Sequence, residues 1–213
     1  MATTLYPLAY SLVTSFREWD LTKQRRPGDF VGLDNFGYAF TEPGFQNSLW
    51  VTTIFVVTSV ILTLVIAMSL ALLLRRKGRM HTFTRVILIL PFAMSPALIG
   101  VSYRFMFNPE FGVIAKGLGA VFPALEGTPW LASPDLAMAI LVLTDVWHWA
   151  PYMTFMFLGG LASVPRETEE AARIDGASSL RIIFGIVLPQ MKGVLLVIAP
   201  SRVVGELCPL VNP

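Results

Sequence analysis

The stretch SVPRETEEAARIDGASSLRIIFGIVLPQ, residues 163–190, decides how the rest of the chain is read. It is the most polar part of the second half and lies between apolar segments. Ser163 suits a helix cap and Pro165 a first turn, where a missing N–H is no loss. Glu167, Glu169 and Glu170 bring negative charge to the positive end of that helix. Gly176 stops it, because glycine tolerates the left-handed conformation that a C-terminal cap requires. Ser178 or Ser179 caps a second helix, in which Leu180, Ile183, Phe184, Val187 and Leu188 fall at i, i+3, i+4, i+7 and i+8. Pro189 ends the pattern. The expectation is two short helices joined by a sharp bend, charged on one side and flanked by membrane segments.

The composition supports a bilayer setting. Of 213 residues, 54% are hydrophobic and only 14% charged, against about 25% charged in ordinary soluble domains. The single cysteine, Cys208, leaves no intrachain disulfide and no thiolate framework for a metal. A net charge of +2, with no basic cluster interleaved with aromatics, gives no reason to expect nucleic acid.

Outward from the hairpin, the apolar runs mark candidate spans. Leu5–Phe16 is shorter than the roughly 20 residues a span needs; it reads as the end of a first transmembrane helix rather than a signal peptide. Arg17–Asn47 is polar and turn-rich. Leu49–Leu74 is free of charge and long enough to cross with tilt. A basic loop follows, with Arg75, Arg76, Lys77, Arg79 and Arg85. Val86–Tyr103 reads as one span kinked by Pro91 and Pro96, with Arg104 snorkelling at its end. After the loop Asn108–Pro134 comes a span over Leu136–Leu161, interrupted by Asp145. Lysine and arginine counts place the basic loop and the hairpin, with Arg166, Arg173 and Arg181, in the cytoplasm. The fold expected is an all-α polytopic membrane bundle of about four spans, with partial first and fifth spans, forming one domain.

Two features carry candidate chemistry. Asp145, deep in its span, is either an interhelical hydrogen-bonding residue packed among aromatics or, with Trp147, Trp149 and Tyr152, part of a polar translocation path. The histidines His81 and His148 share no metal-ligand spacing. No G-x-x-x-x-G-K-[ST] loop occurs, so ATP is not bound that way by this chain. No paired nucleophile and base is found, and catalysis is not expected. The hairpin is either a docking element or an amphipathic loop lying on headgroups.

Within the hairpin, Glu170-Ala171-Ala172, Gly176, Ile186, Leu188 and Pro189 match E-A-A-x3-G-x9-I-x-L-P. That spacing resembles the cytoplasmic loop of permease subunits of binding-protein-dependent ABC importers. Tyr6-Pro7-Leu8, Ser15-Phe16, Phe30-Val31-Gly32-Leu33-Asp34-Asn35-Phe36, Phe107-Asn108-Pro109-Glu110-Phe111-Gly112, Trp130-Leu131 and Asp145-Val146-Trp147 resemble the sugar-importing branch, of maltose and glycerol-phosphate type. The resemblance covers roughly residues 5 to 198. It implies a bacterial or archaeal inner-membrane protein whose hairpin docks on a separate ATPase through Glu170, Ala171, Ala172, Asp175, Gly176, Ile186, Leu188 and Pro189. The implied partners are a second homologous permease, two ATP-binding cassette subunits that bind the ATP, an extracytoplasmic solute-binding protein and the bilayer.

The same resemblance implies complete first, fifth and sixth spans. In its register the fifth should follow Pro189, yet Pro200, Ser201, Arg202, Gly205 and Glu206 intrude after Ala199. Arginine and glutamate inside a span together cost on the order of several kcal/mol on insertion scales. The sequence therefore suggests an atypical tail over 200–213, from a truncated or frameshifted gene. A non-transporting remnant that keeps the docking hairpin is the alternative to an importer subunit. A carrier driven by protonation of Asp145 is a third reading, and the hairpin motif argues against it.

Overall fold

Thirty-two residues without a charge, Pro43–Leu74, form the longest helix of the computed structural model. The structure describes residues 2–20, 22–75 and 79–211, with side chains for all of these except 2–4, 79–82, 86, 166 and 206–211. Arg76 and Lys77 of the basic loop, and the side chains of Arg79, His81, Arg166, Glu206 and Cys208, lie outside the described set. Every regular element among the described residues is helical, as expected; one isolated bridge pairs Arg17 with Phe30.

The chain divides into two compact units, Met1–Ile54 and Phe55–Pro213. The first holds α1 (Ala2–Ser15), α2 (Asp34–Thr41) and the beginning of α3 (Pro43–Leu74). Its organising contact is the Asn35 side-chain amide, which donates to the carbonyls of Ser15 and Arg17 at 2.9 and 2.8 Å. The backbone N–H of Val31 donates to Phe16 O, and the Phe16 ring meets Phe30 and Phe36. The expected polar loop Arg17–Asn47 thus contains a helix, and α3 starts six residues before Leu49. The Phe40 ring of α2 meets Phe45 of α3 edge-on.

The second unit contains α4 (Arg79–Ala93), α5 (Pro96–Met106), α6 (Val113–Val121), a 3-10 turn (Pro123–Leu125), α7 (Pro134–Ala162), α8 (Arg166–Ile174), α9 (Ser179–Ile182), a π-helical turn (Ile183–Val187), α10 (Leu188–Gln190) and α11 (Lys192–Val211). Its main core joins Ala67 and Ala71 of α3 to Met153, Phe157 and Leu161 of α7, and to Val164, Ile182, Val187, Met191 and Ile198. Alanines one turn apart let the helices approach closely.

The structure corrects four expectations here. The bend expected within Val86–Tyr103 is sharper than a kink and falls at one proline rather than two: α4 and α5 meet at 92°. Pro91 remains inside α4, and the break falls at Met94–Ser95, where Pro96 disfavours helical dihedrals for Ser95 and offers no N–H. Ser95 then caps α5 by accepting from the Leu98 N–H at 3.3 Å. Second, the loop Asn108–Pro134 contains α6. Before it, Asn108 Oδ1 accepts from the N–H groups of Glu110 and Phe111 in a tight turn. A Cβ at Gly112 would stand 2.4 Å from Met106 O, so only glycine closes this turn. Third, residues 79–85 belong to α4 and not to the basic loop. Fourth, the chain beyond Ala199 is helical: α11 continues through Pro200 to Val211.

By length and apolar composition α3 qualifies alone as a membrane-crossing helix among the described residues. The bent pairs Phe83–Ala93 with Pro96–Met106 and Ser179–Gln190 with Lys192–Gly205 would each add one. The 29-residue α7 has the length, at about 1.5 Å per residue, but Asp145 and His148 dilute its apolar run.

Candidate functional site

The hairpin begins where α7 ends. Ser163 is the C-cap of α7, and its hydroxyl donates to Gly160 O at 2.7 Å, so it does not cap α8 as expected. The cap position falls on Pro165, which makes no side-chain cap bond. Glu167 and Glu169 occupy the first turn of α8, and Arg173 its last, each favourable with the helix dipole. At the other end Gly176 has φ +79, as the sequence requires. The N–H of Ala177 donates to Ala172 O at 2.9 Å and that of Gly176 to Arg173 O at 3.1 Å. These two bonds form a Schellman motif, which fixes the exit direction of the chain.

Ser178 caps the second helix, accepting from the Arg181 N–H at 3.4 Å. The apolar face is not the one the helical spacing anticipates. Ile182 and Val187 are buried, whereas Leu180 and Phe184 are each 67% exposed. The π-helical turn over Ile183–Val187 supplies the reason: its extra residue per turn brings positions five apart onto one face. The element also passes Pro189 and breaks at Met191, bending 77° into α11.

Of the expected docking residues, Glu170, Ala171, Asp175, Gly176 and Pro189 are exposed, while Ala172, Ile186 and Leu188 are half-buried. Ala172 packs against the core of the second unit. Ile174, 87% exposed at the end of α8, was not singled out from the sequence. An apolar residue closing a polar helix beside the bend was the available signal. Glu169 turns away from solvent to pair with Arg75.

The intramembrane candidates divide into two groups. Asp145, Trp149 and Tyr152, at i, i+4 and i+7 of α7, lie along one face. The Asp145 carboxylate pairs with Arg202 of α11 and accepts from the Ser59 hydroxyl of α3, joining three helices. The Arg202 guanidinium lies over the Trp149 ring, 4.9 Å from its centroid. Tyr152 stacks on Phe92 at 4.9 Å, and Phe92 also meets His148 and Trp149. His148 Nδ1–H donates to Pro91 O at 2.9 Å, beside the α4–α5 break. Trp147 points elsewhere and meets Tyr103 of α5. Four residues expected to line one path therefore form a three-member face plus an outlier. Arg202, buried at 2% exposure, was read from the sequence as a disruption rather than as the partner of Asp145.

Residues 61–206 match the family described as binding-protein-dependent transport system inner membrane component. The chain belongs to this family. The match of this inner membrane component runs seven residues past Ala199, into the segment expected to be atypical. It is 32% identical over 95% of its length to the sulfoquinovosyl glycerol transport system permease protein SmoG of Agrobacterium fabrum. It is 36% identical over 78% to the sn-glycerol-3-phosphate transport system permease protein UgpA of Pectobacterium atrosepticum. Over 84% it is 32% identical to the trehalose/maltose transport system permease protein MalF of Thermococcus litoralis. The chain spans 65, 55 and 60% of the lengths of these three proteins. Its fold is similar to a chain in the crystal structure of a bacterial alginate ABC transporter in complex with alginate pentasaccharide-bound periplasmic protein. There the TM-score is 0.76 at 22% identity, covering 94% of this chain and 67% of the other. As an inner membrane component with an apolar helix long enough to cross, the protein is a membrane protein.

Proposed function

We propose that this inner membrane component is a transmembrane subunit of an ATP-driven importer, which forms part of the path for a carbohydrate. It is coupled through the hairpin of residues 163–190 to a separate ATPase subunit. The observation that carries this reading is the hairpin itself: a Schellman bend at Gly176 presents exposed Glu170, Ala171, Ile174 and Asp175, while its other face is anchored in the core by Val164, Ile182 and Val187. A rigid, rooted element with an open outer face suits a partner that pushes on it. The Arg75–Glu169 ion pair supports a cytoplasmic assignment, because it puts the hairpin beside the basic end of α3.

The named relatives handle sulfoquinovosyl glycerol, glycerol phosphate and trehalose or maltose, which supports a carbohydrate class without choosing within it. The partners that follow are a second homologous permease, two ATP-binding cassette subunits and an extracytoplasmic solute-binding protein. The membrane is crossed several times. Asp145 serves in this proposal as an interhelical tie, and Trp149 and Tyr152 border the path from the same face of α7.

The test is co-expression with a candidate ATPase, a second permease and a solute-binding protein of the same importer class, reading ATPase co-purification and uptake of labelled sugar. Both together support the proposal. Co-purification without uptake favours a docking-competent remnant, and the absence of both refutes the hairpin role.

A further inference from the structure

The end of α3 and the start of the hairpin share one guanidinium. Arg75, the first residue after α3, pairs with Glu169 in the first turn of α8, and a second of its nitrogens donates to Leu161 O at 3.4 Å. Leu161 belongs to the last turn of α7, and its carbonyl also accepts from the Val164 N–H at 3.4 Å. The Arg75 and Glu169 side chains are only 21 and 14% exposed. One side chain therefore meets three elements that the chain otherwise joins on one side through Ser163–Pro165 alone and on the other through some ninety intervening residues. Glu169 is thereby withdrawn from the outer face, where Glu170, Ala171 and Asp175 remain open.

We infer that Arg75 and Glu169 are positioning residues that lock α8 to the ends of α3 and α7, so that force applied to the hairpin reaches the spans. The inference rests on the proposed coupling role. Force on a short helix moves the body behind it only when the joint is stiffer than the load. Val164 and Ile182 anchor the chain on either side of α8, and among the described apolar residues of α8 itself only Ala172 packs on that core, which leaves little apolar contact to oppose rotation of α8 about its axis. An ion pair from the first turn of α8, fixed by a planar fork to a helix-end carbonyl, opposes that rotation. Lysine, whose three donors radiate from one nitrogen on a flexible stem, cannot hold both acceptors in fixed directions.

The experiment uses the full chain in membranes, in a Cys208→Ser background with Val164→Cys as a reporter of opening, since Val164 is 4% exposed. Labelling by a membrane-impermeant maleimide is compared for the parent, Arg75→Gln, Glu169→Gln, Arg75→Lys and the exchange Arg75→Glu/Glu169→Arg. Expected is at least a fivefold rise in labelling rate for both Gln variants, a smaller rise for Lys and return toward the parent in the exchange. Unchanged labelling in the Gln variants overturns the lock, and so does an exchange no better than the single variants. ATPase co-purification is read on the same samples. It should fall with the Gln variants and recover in the exchange. Should the parent itself bind no ATPase while the labelling pattern holds, the lock stands and the coupling reading fails. Should ATPase binding and uptake ignore the labelling pattern, the transmission role is overturned.

Discussion

Replacing Gly176 by alanine and by asparagine separates backbone strain from contact with a partner, because the two effects rank these residues in opposite order. Gly176 sits at φ +79, and no heavy atom lies within 4 Å of a Cβ built there. The Cβ of alanine therefore meets nothing in the chain itself, and its only internal cost is conformational. For alanine the left-handed region costs roughly 1–2 kcal/mol, and asparagine visits it more readily. At about 1.4 kcal/mol per tenfold change, strain from alanine weakens docking by about fivefold to thirtyfold if all of it is relieved only in the undocked hairpin. Asparagine should lose less by strain, yet its side chain extends further into the space a docked ATPase would occupy. The assay is association of the detergent-solubilised chain with its ATPase subunit, alongside thermal unfolding. The expected outcome is that Gly176→Asn binds at least tenfold more weakly than Gly176→Ala, despite unfolding at a higher temperature. If association follows strain, with asparagine better than alanine, the bend is structural only and Gly176 does not approach a partner. Parent-like binding by both variants refutes the docking role outright.

Three further outcomes follow from the geometry. Ile174→Asp should leave the unfolding temperature unchanged, since the side chain is 87% exposed, and should cut ATPase association at least tenfold. Asp145→Leu or Arg202→Leu alone should each destabilise the chain by about 3–5 kcal/mol, the usual result of stranding one partner of a buried pair. The double variant should recover most of that loss, as a double-mutant cycle in a denaturant titration would report. His148→Phe should cost about 0.5–1.5 kcal/mol, because the Pro91 carbonyl loses its imidazole donor but keeps the Met94 N–H at 3.2 Å. Because that contact sits beside the 92° break between α4 and α5, the same variant should speed hydrogen exchange around Met94.

What the sequence made legible was local chemistry at fixed spacing. Gly176, Ser178 and the acidic first turn of α8 each act through neighbours within a few residues, so reading them in one dimension sufficed. The segments Val31–Phe36 and Asn108–Gly112 matched a pattern whose physical basis is now plain: Asn35 ties α2 to the end of α1, and Gly112 closes a turn no side chain would fit. The second hairpin helix was misread because a 3.6-residue period was imposed on a π-helical turn, which exchanged Leu180 and Phe184 for Ile182 as the inward residues. The inward pairing of Glu169 was invisible for a different reason. Its partner Arg75 lies 94 residues away, and nothing in the charge pattern distinguishes it from the other arginines nearby.

Distance along the chain hides Arg202 in the same way, and correcting it changes what Asp145 can mean. Taken alone along the chain, an arginine two residues after a proline looks like the end of an apolar segment. Taken with Asp145, the two charges offset each other's burial, with the Ser59 hydroxyl on the carboxylate and the Trp149 ring under the guanidinium. A carboxylate that binds α7 to α3 and α11 is committed to holding helices together. A proton-driven carrier needs that carboxylate to exchange partners during every cycle, and so to break a tie among three helices each time. Energy input at the hairpin needs no such step: the Schellman bend, the open face around Ile174 and the Arg75–Glu169 contact all lie at the end of the bundle where α3 and α7 terminate. In the importer proposed above, the polar residues inside the bundle fasten it, and those at its end receive the load.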